Sequence, residues 1–306
     1  MKGLEKSREL YETLGKPMLH ELFPDFENRI AAGLAGHGSE CFGYDDEVSL
    51  DHDYEPGFCL WITGEDDVLF GPRLNRAYNS LPIPRAKQRS LGGGSSTGVR
   101  IIEDFYRPYI GSNSPPEELL HWLSLPSWAL AEATNGQVFR DDLGEFSHIR
   151  EILLHGMPED VRKKHLAAKC LAAAQAGQYN YARCLEHGED GAAVLALGKF
   201  VTAAAEAIYL LNRRHAPYYK WLLRGLRGLP LLSSCAPGLE LILTGDNDKS
   251  GQNLKAGLIE DISAQIIKEL RAQDLTHGTW DFLEPHAYEI AQRIKSPELK
   301  TLPLME

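Results

Sequence analysis

The sequence predicts an α+β protein, with a small mixed sheet and its helices over residues 1–115 and a mainly α-helical domain over 116–306. Three observations carry that expectation. Strand-like and helix-like hydrophobic periods alternate through the first third of the chain. The cluster Gly111-Ser112-Asn113-Ser114-Pro115-Pro116 is the strongest breaker and marks the boundary. Beyond it the apolar residues recur almost throughout at the helical period.

The elements follow in order. Leu4 to Leu22 is amphipathic, with Leu10, Leu14, Met18 and Leu22 on one stripe, and Pro24 follows its end. Arg29 to Ala35 is a short apolar strand that breaks at Gly36-His37-Gly38-Ser39. Gly57 to Thr63 is rich in β-formers, and Val99 to Ile102 is a third strand. Between them, Leu69 to Leu81 reads as a helix stopping before Pro82. In the second half, the Ala-rich stretch 166–176, Lys199 to Leu211, Asn253 to Ala272 and Phe282 to Ile294 all have helical character. On the third of these, Phe200, Ala204, Ile208 and Leu211 share one face.

The 43 acidic and 32 basic residues leave a net charge of −11. A uniformly acidic surface repels phosphate backbones, so no extended nucleic acid is expected as a partner. No apolar run reaches the length of a membrane span, and the charged first thirty residues lack the apolar core of a signal peptide. A cytoplasmic protein that does not enter membranes is the expectation. The five cysteines, Cys41, Cys59, Cys170, Cys184 and Cys235, form no CxxC pair, which disfavours a zinc site or a disulfide scaffold.

Chemistry concentrates between Gly38 and Asp53. Asp51 and Asp53 flank His52, and on a strand they point the same way. Two carboxylates at that spacing suit a hard cation such as Mg²⁺, which takes oxygen ligands and keeps substrate phosphates among them. An aspartate pair alone is weak, since about six acidic pairs at that spacing arise by chance at this composition. Three further features strengthen it: an adjoining β-like run, the Gly38-Ser39 turn twelve residues before, and the extra negative charge of Asp45, Asp46 and Glu47. A glycine lets backbone N–H groups approach a phosphate, and a serine hydroxyl can join them.

Gly38-Ser39 followed by Asp51-x-Asp53 resembles the signature of the DNA polymerase β-like nucleotidyltransferase superfamily. The string GSECFGYDDEVSLDHDYEPGFCLW is similar to one branch of it, the domain of unknown function 4037 family. ALAEATNGQVFRDDLGEF, GQYNYARCL, LLNRRHAPYYKWL and FLEPHAYEIAQRI also resemble that family, so the likeness spans most of the chain. It implies a nucleotidyltransferase domain, a helical C-terminal domain and a Mg²⁺-nucleotide site, with ATP the foremost candidate donor. Asp51 and Asp53 would be catalytic metal ligands, and Gly38 and Ser39 would bind the β- and γ-phosphates. A hydroxyl of a small molecule, a protein or an RNA end would attack the α-phosphorus and release pyrophosphate.

The resemblance also calls for a third carboxylate, as ligand or base. Glu103, with Asp104 at the start of the helix after Val99-Arg100-Ile101-Ile102, is the candidate, although carboxylates favour helix N-termini in any case. Lys220, in Pro217-Tyr218-Tyr219-Lys220-Trp221, is implied as the residue reaching the triphosphate, and a compact ammonium suits that task. Tyr218 and Trp221 are expected to pack the core rather than stack on a base. Glu206, on an apolar helix, is a second base candidate. The basic island Arg85, Lys87 and Arg89 and the run Gly92–Gly98 read as loops, the latter without the GK[ST] ending of a P-loop. The competing reading is a module that binds and senses a nucleotide without turning it over.

Overall fold

The computed structural model describes residues 2–46, 56–84 and 97–304. These form two compact units. The first comprises Met1–Pro116 and Ala129–Gly156, the second Glu117–Trp128 and Met157–Glu306.

In the first unit, α1 (Gly3–Leu10) passes through one π turn at Tyr11–Gly15 into α2 (Lys16–Leu22). The sequence reads this as one helix; the wide turn that sets Tyr11 and Gly15 inward has no signature in the apolar spacing. β1 (Ala31–Leu34) and β2 (Cys59–Ile62) follow. α3 (Gly64–Ser80) then leads to β3 (Gly98–Ile101) and α4 (Ile102–Ile110). After α5 (Leu119–Ser124), which belongs to the second unit, come α6 (Ser127–Thr134), β4 (Gln137–Arg140) and α7 (Glu145–His155).

The strand order is β3-β2-β1-β4, with β1 antiparallel to both neighbours and β2 parallel to β3. Gly33 lies opposite Cys59, and Cys59 opposite Gly98. The exit of β1 and the entries of β2 and β3 therefore share one end of the sheet. Both strand faces are covered, which is why Ala31–Leu34 is buried throughout and shows no alternation. Ala32, Leu60 and Ile62 join Tyr11, Leu19, Phe23, Phe70 and Leu74 in one core cluster. Among the remaining buried side chains, Trp61 stacks on Phe146 at 3.8 Å and meets Phe105 edge-on at 5.5 Å.

Two elements differ from the sequence reading. α3 begins five residues before Leu69, because the Thr63 side chain caps it by accepting a hydrogen bond from the Asp66 amide at 3.2 Å. Asp66 is fully buried and pairs with Arg29 at 2.6 Å. β4 is the second difference. The sequence reading places everything beyond residue 115 in the helical domain, yet Gln137–Arg140 pairs with β1, so residues 129–156 pack with the sheet.

The second unit is helical. α8 (Glu159–Ala173) continues through eight π-helical residues (Ala174–Tyr181) into α9 (Ala182–Glu186). α10 (Asp190–Leu211) is followed by α11 (Tyr219–Leu226), α12 (Ala236–Thr244), α13 (Lys249–Ala272), α14 (Leu283–Gln292) and α15 (Pro297–Thr301). α10 is the centre of the core, burying Leu197, Phe200, Ala204, Ile208 and Leu211. Over its 22 residues, with an 18-residue stretch of mean hydropathy 1.7, it is long and apolar enough to cross a membrane, which corrects the expectation that no such run exists. The sequence reading started this helix at Lys199 and so missed its apolar first half.

Near the C-terminus, a polar knot joins the loop after α13 to α14. The Thr276 hydroxyl lies 2.5 Å from Glu289 and 2.8 Å from the buried His286 ring. Burial raises the Glu289 pKa, but hydrogen bonds from Thr276, the His277 and Gly278 amides and Arg293 outweigh it and hold the pKa at about 2.

Candidate functional site

The site begins where β1 leaves the sheet. Gly36 and Gly38 have φ of +108° and +125°, conformations that L side chains rarely adopt. A Cβ on Gly38 would also come within 2.5 Å of the Glu40 carboxylate. The turn is held from outside its own segment. Asn135 brackets Gly36, accepting from its amide and donating to its carbonyl, both at 2.8 Å. The Gly136 amide donates to the Cys41 carbonyl at 2.9 Å. Within the turn, the Ser39 carbonyl accepts from the Tyr44 amide at 2.8 Å. The Gly38-Ser39 backbone is thus fixed by β4's leading residues, which the sequence assigns to the other domain.

Carboxylates crowd this end. Glu40 and Glu132 are both buried. Glu132 lies 3.4 Å from Nδ1 of His37, whose side chain is 84% exposed. Burial together with Glu40, Glu132 and Asp45 pushes the Cys41 thiol well above its ordinary range. Burial, then Glu132, raise Tyr109 likewise. Asp45, counted in the sequence toward a cation site, has a structural partner: it accepts from the Gly3 amide at 2.7 Å, at the positive end of α1. Among the described residues no three His, Cys, Asp or Glu side chains gather as a metal site.

The predicted site residues fall into three groups. Gly38 and Ser39 stand in the turn just described. Asp51 and Asp53, with Glu47, the basic residues Arg85, Lys87 and Arg89 and most of the run Gly92–Gly98, lie outside the described residues. Glu103 sits in the first turn of α4, just after β3 ends. β3 enters at the sheet end that Gly38 follows and runs away from it for four residues, about 13 Å at the rise of a strand. Glu103 is therefore not brought to the Gly38-Ser39 turn, and it occupies the helix N-terminal position that carboxylates favour generally. A groove of about 560 Å³ opens beside it between α3 and β3, lined by Asp67, Asn75, Arg100 and Asp104 among others. Gly38 and Ser39 are not part of that groove.

In the second unit, Lys220 is exposed in the first turn of α11, its Nζ 5.0 Å from the Trp221 ring centre. Tyr218 is 47% exposed, so it does not pack the core as expected. Glu206 pairs with Lys169 of α8 at 2.5 Å. One turn earlier on α8, burial and the charges of Lys169 and His215 lower His165 to about 4. His37, Glu132 and Asn135 are the residues that sequence reasoning missed. His37 was read only as part of a turn, and the other two reach the site by the return of the chain to the sheet.

No curated protein matches this chain. A crystal structure of a nucleotidyltransferase-like protein from Exiguobacterium sibiricum 255-15 is similar at 11% identity, over 87% of this chain and 82% of that one, with a TM-score of 0.35. Residues 122–222 match the family model described as a domain of unknown function, DUF4037, which bears out the resemblance carried by ALAEATNGQVFRDDLGEF, GQYNYARCL and LLNRRHAPYYKWL.

Proposed function

We propose that the protein transfers a nucleoside monophosphate from a nucleoside triphosphate, ATP foremost, to a hydroxyl of an acceptor. The observation that carries this reading is the turn after β1. Its two positive-φ glycines and Ser39 offer backbone and hydroxyl donors to phosphate, in the spacing to Asp51 and Asp53 that the signature requires. The surrounding excess of buried carboxylate fits a cation there. Asp51 and Asp53 would hold Mg²⁺, which when bound neutralises the triphosphate and polarises the α-phosphorus. The acceptor oxygen bonds to the α-phosphorus as the bond to the bridging oxygen breaks, and pyrophosphate leaves with that electron pair.

The hydroxyl proton needs a base. With Glu103 at the other end of the sheet, His37 takes that role in this reading. The buried Glu132, 3.4 Å from Nδ1, would orient the ring for that role. In His37→Gln the turnover falls and the acid limb of the pH–rate profile disappears. An unchanged profile removes His37 from the mechanism.

The test of the whole reading is thermal melting with ATP, GTP, CTP and UTP, with and without Mg²⁺. A Mg²⁺-dependent rise with one nucleotide, lost in Asp51→Ala, is expected. No rise with any of them counts against it. The position of Glu103 favours a second reading, nucleotide sensing without turnover. A melting rise with no pyrophosphate released in the presence of candidate acceptors selects that one.

A further inference from the structure

A loop binds phosphate by aiming backbone N–H groups at one point, and it binds best when it is already held in that shape. The turn after β1 has both parts of this arrangement. The Phe42, Gly43 and Tyr44 amides donate to the Ser39, Glu40 and Ser39 carbonyls at 3.2, 3.0 and 2.8 Å, so its far side is closed on itself. The Gly38 and Ser39 amides donate to no protein group among the described residues.

The restraint comes from far along the chain. Asn135 and Gly136 are consecutive and take the two ends of the turn. The Asn135 carboxamide makes both its hydrogen bonds with Gly36, and the Gly136 amide donates to the Cys41 carbonyl. Gly136 has φ +70°, and a Cβ there would stand 1.9 Å from the Leu34 carbonyl oxygen, so glycine is what allows this close approach. Behind both stands Arg150 of α7. Its Nη2 donates to the Thr134 carbonyl at 2.6 Å and the Asn135 carbonyl at 3.3 Å, where α6 ends. Its side chain is 19% exposed, and its pair with Glu151 is a loose 3.9 Å. α7 is itself fixed, because Phe146, one turn before Arg150, is buried against Trp61.

We propose that Asn135, Gly136 and Arg150 form a clamp that presets the phosphate-binding turn, with Arg150 a positioning residue that sets nucleotide affinity by acting through Asn135. The proposal rests on the transfer reading for what the turn binds. A turn that is already ordered gives up little conformational freedom when a phosphate docks, so loosening the clamp is read as lost affinity. A guanidinium suits the latch, since its planar fork offers donors in fixed directions and one side chain can hold two adjacent carbonyls.

The test uses the full chain and two readouts. Hydrogen exchange without nucleotide follows the Phe42, Gly43 and Tyr44 amides, none of which donates to the clamp. Calorimetric titration with ATP and Mg²⁺ gives the nucleotide affinity. In Asn135→Ala and in Arg150→Met these amides are expected to exchange at least about tenfold faster, while those of β2 in the same unit keep the parent rate. The Kd for ATP is expected to rise at least about tenfold in both variants. Arg150→Lys keeps a donor on the carbonyls and is expected to stay within about threefold of the parent in both readouts. Should one variant fail to fold, the other carries the test. The proposal is overturned by unchanged exchange at the turn, by an equal rise at β2, by faster exchange with unchanged affinity, by Arg150→Lys behaving as Arg150→Met, or by loss of folded protein in both variants. Faster exchange at the turn alone, in a chain whose parent binds no nucleotide, upholds the clamp and overturns the transfer reading.

Discussion

The two units bury charges of opposite sign. Among the described residues of the first, the buried charged side chains are carboxylates: Glu40, Asp66 and Glu132. In the second they are cations: Arg162, Lys164 and Lys255. The difference lies in how each is satisfied. Arg162 reaches Glu159, the Leu210 carbonyl near the end of α10 and Gln273; Lys164 donates to the Leu302 carbonyl at 2.7 Å; Lys255 donates to Asn247. Arg162 and Lys164 thus close helix ends, where carbonyls lack partners, while Lys255 ties α13 to the loop before it. Two of the carboxylates in the first unit instead surround a surface turn and lend it negative potential. A charge that finishes a helix holds the fold together, whereas one set around an open turn prepares a place for something else.

The comparison breaks most sharply at the turn. Asp51→Asn or Asp53→Asn is expected to lower nucleotidyl transfer at least about a thousandfold, roughly 4 kcal/mol of barrier, with no fall in melting temperature. Loss of folded protein in both variants would make these aspartates structural, like the cations of the second unit.

Asp66 is the carboxylate of the first unit that does not belong to the turn. Asp66→Ala leaves Arg29 without its buried partner and is expected to cost about 3 kcal/mol in urea unfolding. A cost below about 1 kcal/mol would show that Arg29 finds water instead.

Acid separates the units in another way. The His165 pKa is lowered to about 4, below its ordinary value near 6.5, so the folded state resists protonation. Its contribution is fully present above about pH 6.5 and lost as the pH falls toward 4, worth about 2 kcal/mol after allowing for partial exposure. His165→Gln should flatten that part of the stability–pH curve. A curve identical to that of the parent assigns the acid sensitivity elsewhere.

Smaller effects sharpen the picture. Gly38→Ala meets both an unfavourable φ and the Glu40 carboxylate, and a loss of about 1 kcal/mol or more is expected by thermal melting. Glu206→Gln breaks a partly exposed pair with Lys169 and should cost less than about 1 kcal/mol. A larger loss there would mark that pair as part of the core.

Much of the architecture was legible because its signals are local. The helical stripe containing Phe200, Ala204, Ile208 and Leu211 is buried as its spacing predicts. β2 and β3 fall where β-formers cluster between breakers. The start of α3 was legible but passed over, since Thr63-Gly64-Glu65-Asp66 has the spacing of a capping box. β4 was not, because four half-exposed residues without alternation give no periodic signal. The candidate site shares that limit. Gly38 and Ser39 announce themselves by type and spacing, but Asn135 and Glu132 arrive through strand pairing a hundred residues away. The place of Glu103 was not legible for the same reason, since only the direction of β3 reveals which end of the sheet it occupies.

α10 has a consequence for how the protein is made. Synthesis proceeds from the N-terminus, so this helix emerges before α12 and α13, which later pack against it, have been translated. For that interval the nascent chain presents a 22-residue helix, with an 18-residue stretch of mean hydropathy 1.7, while part of its eventual cover is missing. Cellular machinery that recognises membrane spans by length and apolarity meets the same features in this core helix. The order of helices along the chain thus makes chaperone capture and mistaken membrane insertion hazards of its biogenesis.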